Sequence, residues 1–157
     1  MSFNNINTKL RSERGFTIVE LLIVIVVIGI LAAITIVSFN GVTAKANTSS
    51  AQSAATAVSK KIEAYNAEVS AYPDNFSLLT DATKSGTSYY IPTSTYTLKT
   101  AAIATAPTTA EGPSTISIQK CGSPTAGFII GYWSYSEKTQ KTITTGTTTG
   151  TCTYITS

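Results

Sequence analysis

The apolar residues of the chain fall into three successive patterns. From Phe16 to Val37 they are almost unbroken, 22 residues with one ionisable group, Glu20. As a helix this run measures about 33 Å, enough to cross a hydrocarbon layer of ~30 Å. Beyond it the apolar positions thin out but keep a rhythm. Ala51, Ala55, Val58, Ile62, Tyr65 and Val69 recur at steps of four and three, with Ser49, Ser53, Thr56, Lys60 and Glu63 on the opposite side. That is one helical face, and no Pro interrupts it before Pro73. The spacing predicts a single helix from Phe16 to about Ala71, with Gly29 and the Asn40-Gly41 pair as its points of low helix propensity. After Tyr72-Pro73-Asp74 the rhythm shortens to strands and turns.

The strand signals are "STISIQ", in which Ile116 and Ile118 alternate with polar residues, and "GFIIGYWSYS" from Gly127. A polar turn over Glu137 to Gln140 follows, then "KTITT" and "CTYIT", separated by "GTTTG". These predict an antiparallel sheet of about four strands. Tyr89 to Ile91 and Tyr96 to Leu98 are candidate minor strands, although Pro92 favours a loop between them. The Ala-, Thr- and Pro-rich stretch from Ala101 to Pro113 reads as irregular. The Thr-rich end also fits a glycosylated stalk. Trp133, Tyr135, Ile143, Tyr154 and Ile155 favour strands, because they offer apolar side chains to a core. The fold class is α+β: a long N-terminal helix packed on a C-terminal antiparallel sheet. Four regions follow: a leader over 1–15, an apolar helix over 16–37, the amphipathic half of the same helix over 38–72, and a β-sheet head over 73–157.

Composition changes this picture mainly by exclusion. The chain of 157 residues has no His, which removes the commonest general base and metal ligand at neutral pH. No Gly-rich phosphate loop is present. Asp74 and Asp81 read as two solvated turn acids rather than as a metal site or a carboxylate pair. The reading is of a protein that is not an enzyme and needs no cofactor or metal. Two Cys, Cys121 and Cys152, are too few and too far apart for a zinc cluster, whereas one bridge between them, flanking the expected hairpin, fits an exported domain. The charge of +3 is uneven: Lys9, Arg11 and Arg14 against Glu13 make the leader basic, and no Arg follows Arg14. The remaining Lys are scattered, so no specific nucleic-acid site is evident.

The question is why a carboxylate stands near the start of a membrane-length apolar run. A secretory signal, cleaved near Leu31-Ala32-Ala33, accounts for the basic leader and the apolar core but leaves Glu20 without a purpose. An uncleaved anchor leaves the same gap, since a carboxylate in the bilayer costs about 2.5 to 3.5 kcal/mol. Cleavage between Gly15 and Phe16 resolves it by creating an α-amine at Phe16, close to the depth of Glu20. The two charges can then pair within one helix or between staggered parallel helices.

The stretch "RGFTIVELLIVIVVIGILAAI" closely resembles the N-terminus of type IV pilins and pseudopilins: a basic leader ending in Gly, then Phe, Thr, two aliphatics, Glu and Leu. The resemblance implies that prepilin peptidase, a membrane aspartic protease, cuts after Gly15, and that Phe16 is then N-methylated. It implies that Glu20 neutralises a neighbour's amine during assembly and that Gly29 is a weak point of the helix. Many pilins have Pro where this chain has Val37. "AYPDNFSLL" is similar to the Tyr-Pro turn that follows the long helix in many pilins, and the Cys121, Cys152 pair to their C-terminal disulfide-bounded region. The implied partners are copies of the chain and minor pilins in a homo-oligomeric filament, prepilin peptidase, an inner-membrane assembly platform, and the membrane before assembly. The implied location is the bacterial cytoplasmic membrane, head outward, and then an extracellular pilus serving adhesion, motility or DNA uptake. The alternative is a pseudopilin of a type II secretion or competence system. A secretion-type major pseudopilin usually carries late acidic calcium ligands and no disulfide, whereas the only acids after Asp81 here are Glu111 and Glu137.

Overall fold

The computed structural model describes residues 15–155. The expectations that rest on the basic leader before Gly15 lie outside the described residues. The chain divides into two units, Met1–Phe39 and Asn40–Ser157. Helix α1, Ile18–Val69, is one element of 52 residues that contributes to both.

In the first unit α1 is exposed on every side. Its Leu, Ile and Val residues leave about half or more of their surface uncovered, Val27 at 48% being the least exposed. Gly29 lies inside the helix without interrupting it, and a Cβ there would meet nothing within 4 Å. The helix is long and apolar enough to cross a membrane.

In the second unit the predicted helical face is buried. Ala51, Ala55 and Ile62 are fully enclosed and Val58 is 3% exposed, while Ser49, Ser53, Lys60 and Glu63 face outward. Tyr65 is half-buried and meets Tyr89 edge to face at 5.0 Å between ring centroids. Val69, expected on the buried face, is 48% exposed. The reason is that α1 stops there: Ser70 takes a left-handed φ of 59° and ends the rhythm before the face can be used again. The helix is therefore shorter than the 16–71 expected, and Tyr72 lies beyond it.

A four-residue helix α2, Ser77–Thr80, and two 3-10 turns, Ala82–Lys84 and Thr93–Thr95, lead to the sheet. Strand β1 is Thr97–Lys99, β2 is Thr115–Cys121, β3 is Gly127–Ser134, β4 is Thr139–Gly146 and β5 is Cys152–Tyr154. The order is β1-β2-β3-β4, with β5 also on β2. Strands β2 to β5 pair antiparallel, as the alternation predicted. β1 adds a short parallel pairing, with Leu98 opposite Ile116. It includes part of the Tyr96 to Leu98 candidate, whereas Tyr89 to Ile91 forms no strand. The stretch from Ala101 to Pro113 is irregular, as expected.

Register explains the core. Ile118, Ile130 and Ile143 stand side by side on one face of the sheet, as do Ile116 and Tyr132. This face, together with Phe128, joins Ala51, Ala55, Val58 and Ile62 of α1, with Phe76, Leu79, Ile91 and Ile155 closing the edges. Hydroxyls tie the helix down further. Ser136 donates its backbone N–H to Thr48 Oγ1 at 3.1 Å, and Ser59 and Thr145 share a hydrogen bond. The far face of the sheet is covered as well. Thr115, Ser117 and Trp133 are buried there, and Ile103 anchors the irregular stretch through its N–H to Gln140 Oε1. Gly131 fits between Ser117 and Gln140, where a Cβ would collide with both side chains. Gly146 is fixed twice over, by a φ of +71° and by the Tyr72 ring 2.6 Å from where its Cβ would be.

Candidate functional site at the helix start

Gly15, Phe16 and Thr17 precede the first helical residue in non-helical conformation. A Cβ on Gly15 would meet nothing within 4 Å, and Phe16 is 88% exposed. The Gly15-Phe16 peptide bond is thus open to a protein that approaches it.

The turn that follows is held by a reciprocal pair of hydrogen bonds. Glu20 donates its backbone N–H to Thr17 Oγ1 at 3.2 Å, and Thr17 donates its backbone N–H to Glu20 Oε2 at 2.9 Å. Thr17 Oγ1–H also donates to Oε2, at 2.7 Å. This is a capping box, Thr17-Ile18-Val19-Glu20. Thr17 is the N-cap, Glu20 stands three residues on, and each satisfies an amide the helix would leave unpaired. A carboxylate in the first turn also complements the positive end of the helix dipole. Both Thr17 donors converge on one oxygen of Glu20, and Oε1 has no hydrogen-bond partner among the described residues.

Among the expected site residues, Phe16 and Glu20 are brought together: they line one shallow apolar groove with Leu21, Val24 and Ile25. Gly29 stands apart, more than two turns further along the same helix. Thr17 is the residue that attention to the charge alone misses. The signal for it, T-x-x-E ahead of an apolar run, is present in the sequence.

The second unit holds the remaining candidates. Cys121 and Cys152 form a disulfide with 4.1 Å between their Cα atoms, in register across β2 and β5. Asp74 and Asp81 serve separate turns. Asp74 Oδ1 accepts from Thr125 Oγ1–H at 3.1 Å, and Asp81 caps the Ala82–Lys84 turn by accepting from the Thr83 N–H at 2.9 Å. That backbone bond holds the Asp81 carboxyl below its ordinary range. Glu111 pairs with Lys99 and also accepts the Thr108 N–H at 2.9 Å, which lowers its pKa in turn. Glu137 pairs with Lys141 at 2.6 Å. Among the described residues, no three Asp, Glu, His or Cys side chains gather in a group that could hold a metal ion.

Comparison with known proteins agrees with the helix start. Residues 10–36 match the prokaryotic N-terminal methylation motif. The chain is also similar to the type II secretion system core protein G of Dickeya chrysanthemi, 35% identical over 63 residues. That stretch covers 40% of this chain and 41% of the relative, so the match spans about two fifths of either protein. No solved structure matches. An exposed Gly-Phe junction, a first turn capped by Thr17 and Glu20, and an apolar helix lead to one conclusion: this chain carries the N-terminal methylation motif and resembles the type IV pilin and pseudopilin family.

Proposed function

We propose that the chain is a structural subunit of a type IV pilus. In this reading residues 1–15 are a leader removed by prepilin peptidase, and Phe16 becomes the methylated N-terminus. The segment 16–37 anchors the subunit in the cytoplasmic membrane and later packs in the filament core with copies of the chain. The head, 73–157, faces outward and tiles the fibre, and the chain carries out no chemistry of its own.

The observation that carries this reading is the capping box at Glu20. An isolated carboxylate at the start of an apolar helix is a cost, but here one oxygen is already engaged by Thr17 while the other has no partner among the described residues. Cleavage after Gly15 would produce an ammonium on the neighbouring residue, Phe16. Between staggered copies, Oε1 of one subunit can accept from the amine of the next. The arrangement supplies local order and an intersubunit contact from a single side chain.

A pseudopilin is the second reading, favoured by the similarity to core protein G of the Dickeya chrysanthemi secretion system. Two observations support the pilus subunit over it. The late acids Glu111 and Glu137 are each engaged by a lysine rather than by one another, and the head is closed by a disulfide.

The test is to recover sheared surface fibres and to sequence the N-terminus of their main component by mass spectrometry. A methylated Phe16 on a fibre dominated by this chain is the expected result. Processing at Phe16 without surface fibres would favour the pseudopilin, and a start after Ala33 would overturn both readings.

A further inference from the structure

The second unit has a distribution of charge that the proposed function does not use. From Asn40 onward, eight lysines stand against six carboxylates. Two of the lysines form ion pairs with an acid, and four others meet or lie near other groups of the unit. Lys99 pairs with Glu111 and Lys141 with Glu137. Lys60 lies three residues before Glu63 on α1. Lys61 and Glu68 both bond Ser88, at its carbonyl and its hydroxyl. Lys84 acts electrostatically on Asp81, and Lys120 donates to the Asp74 carbonyl at 3.2 Å. Lys45 and Lys138 are both exposed and without an ion-pair partner among the described residues.

These two belong to the same end of the unit. Lys45 lies one helical turn before Thr48, and Lys138 lies two residues after Ser136. Thr48 Oγ1 accepts the Ser136 N–H at 3.1 Å, which fastens the β3–β4 turn against the helix at that level. Ser134 Oγ accepts the Glu137 N–H at 3.2 Å, so the turn is braced from both sides. Lys138 has a left-handed φ of 55° at its apex. Glu111 also acts on Tyr135 of this turn, but Lys99 neutralises it. The second unit begins at Asn40, so this is the end through which the chain continues into the apolar segment. Lys45 is also the first charged residue after Glu20.

We infer that Lys45 and Lys138 form a docking surface for the anionic lipid headgroups of the membrane that holds the subunit before assembly. The inference rests on the reading of 16–37 as a membrane anchor. The chemistry fits: two exposed ammonium groups without an ion-pair partner among the described residues, one on α1 and one on the braced turn fastened to it, meet phosphates concentrated at a bilayer surface. Each lysine near such a surface strengthens attachment about fivefold. The attraction falls within a Debye length, so it weakens as salt rises. The head of an unassembled subunit is held down on anionic membrane by this contact, and the contact is released when the subunit enters a filament.

The only tryptophan, Trp133, lies three residues before Ser136 and reports on this turn. The full chain is reconstituted in vesicles of phosphatidylcholine, and of equal phosphatidylcholine and phosphatidylglycerol, each with a trace of lipid bearing a nitroxide on its headgroup. Quenching of Trp133 fluorescence should be about twofold stronger in the anionic vesicles at low salt, and the difference should vanish at high salt. Lys45→Gln with Lys138→Asn should abolish the difference, Asn being suited to the left-handed position. Lys45→Arg and Lys60→Gln should each preserve it. Equal quenching in both lipids by chain that resists alkaline extraction would overturn the docking surface and leave the anchor intact. Chain extracted by alkali from both vesicles would overturn the anchor and the docking surface together. A difference that survives the double substitution would also overturn the assignment, because the attraction would then lie elsewhere on the head.

Discussion

The two stretches of α1 are made from one continuous helix and have opposite energetic needs. Up to Phe39 the helix is apolar on nearly every side, and those apolar side chains are exposed. Between Ala51 and Ile62 it is apolar on one face only, and that face is buried on the sheet. The later stretch has found its partner within the chain. In the proposed function the earlier one finds it outside, in lipid or in further copies. The difference teaches that, in the proposed function, the first unit is specified by what it assembles with, while the second is specified by its own core. Substitutions in the first should change location and assembly, and those in the second should change folding stability.

The largest expected effect tests the first half of that contrast. Glu20→Gln removes the charge but keeps an acceptor three residues after Thr17, and Gln completes a capping box as Glu does. The helix start should survive, the Gly15-Phe16 bond is unchanged, and insertion should be no worse for losing a carboxylate. Fibre formation should fail. In the assembled core an ammonium would lack its partner, and removal of one member of a buried pair costs about 3 to 5 kcal/mol. The penalty recurs at every subunit. The measurement compares processed, membrane-inserted protein with sheared fibre. Normal fibre yield would show that Glu20 only caps the helix.

The second prediction applies one chemical change to both regions. Ile130 has no exposed surface and Ile25 is 58% exposed. Ile130→Ala should destabilise the head by about 2 to 5 kcal/mol, the range for a truncated core aliphatic. Ile25→Ala should leave head stability unchanged. Urea unfolding of the detergent-solubilised chain, followed by Trp133 fluorescence, reads both. Equal effects would mean that the two units unfold as one.

The disulfide sets the third expectation, of similar or smaller size. The bridge joins residues 31 apart in sequence and closes β5 onto β2. In the chain-entropy model a loop of that length is worth roughly 3 to 4 kcal/mol, and measured values often fall below the model. Replacement of both Cys by Ser should lower the urea midpoint of the head and raise amide exchange first at Thr153 and Ile155, the latter now bonded to Ile118 O at 3.0 Å. An unchanged midpoint would show that β5 holds by its pairing alone.

The same contrast explains which parts of the molecule are readable from sequence. Ala51, Ala55, Val58 and Ile62 announce their face because helical period and burial coincide there. "STISIQ" and "GFIIGYWSYS" are legible because antiparallel neighbours joined by a short turn impose alternation locally. β1 is not legible in the same way. Three residues pair in parallel with partners eighteen positions further along the chain, and a stretch so short carries no period of its own. Val69 misleads because periodicity says which face a residue occupies but not where the sheet beneath it ends. At the helix start, Gly15, Phe16 and Glu20 draw attention as a charge problem. The capping box lies in the same residues and is a hydrogen-bond problem, visible only once Thr17 is read together with Glu20.

The smallest effect separates those two roles of the helix start. Thr17→Ala deletes the N-cap oxygen that accepts the Glu20 N–H and the hydroxyl that donates to Oε2, while the Thr17 backbone donor to Oε2 persists. Loss of an N-cap hydroxyl costs about 0.5 to 2 kcal/mol. Amide exchange at Val19 and Glu20 should rise several-fold in detergent micelles, and Thr17→Ser should restore protection because Ser caps equally well. Assembly should be reduced but not abolished, since the charge of Glu20 is intact and only its orientation is loosened. Fibre yield should therefore fall between those of the wild type and Glu20→Gln. If Thr17→Ala eliminated fibres as completely as Glu20→Gln while exchange at Val19 and Glu20 stayed slow, Thr17 would be an intersubunit contact in its own right. The capping box would then be incidental to assembly.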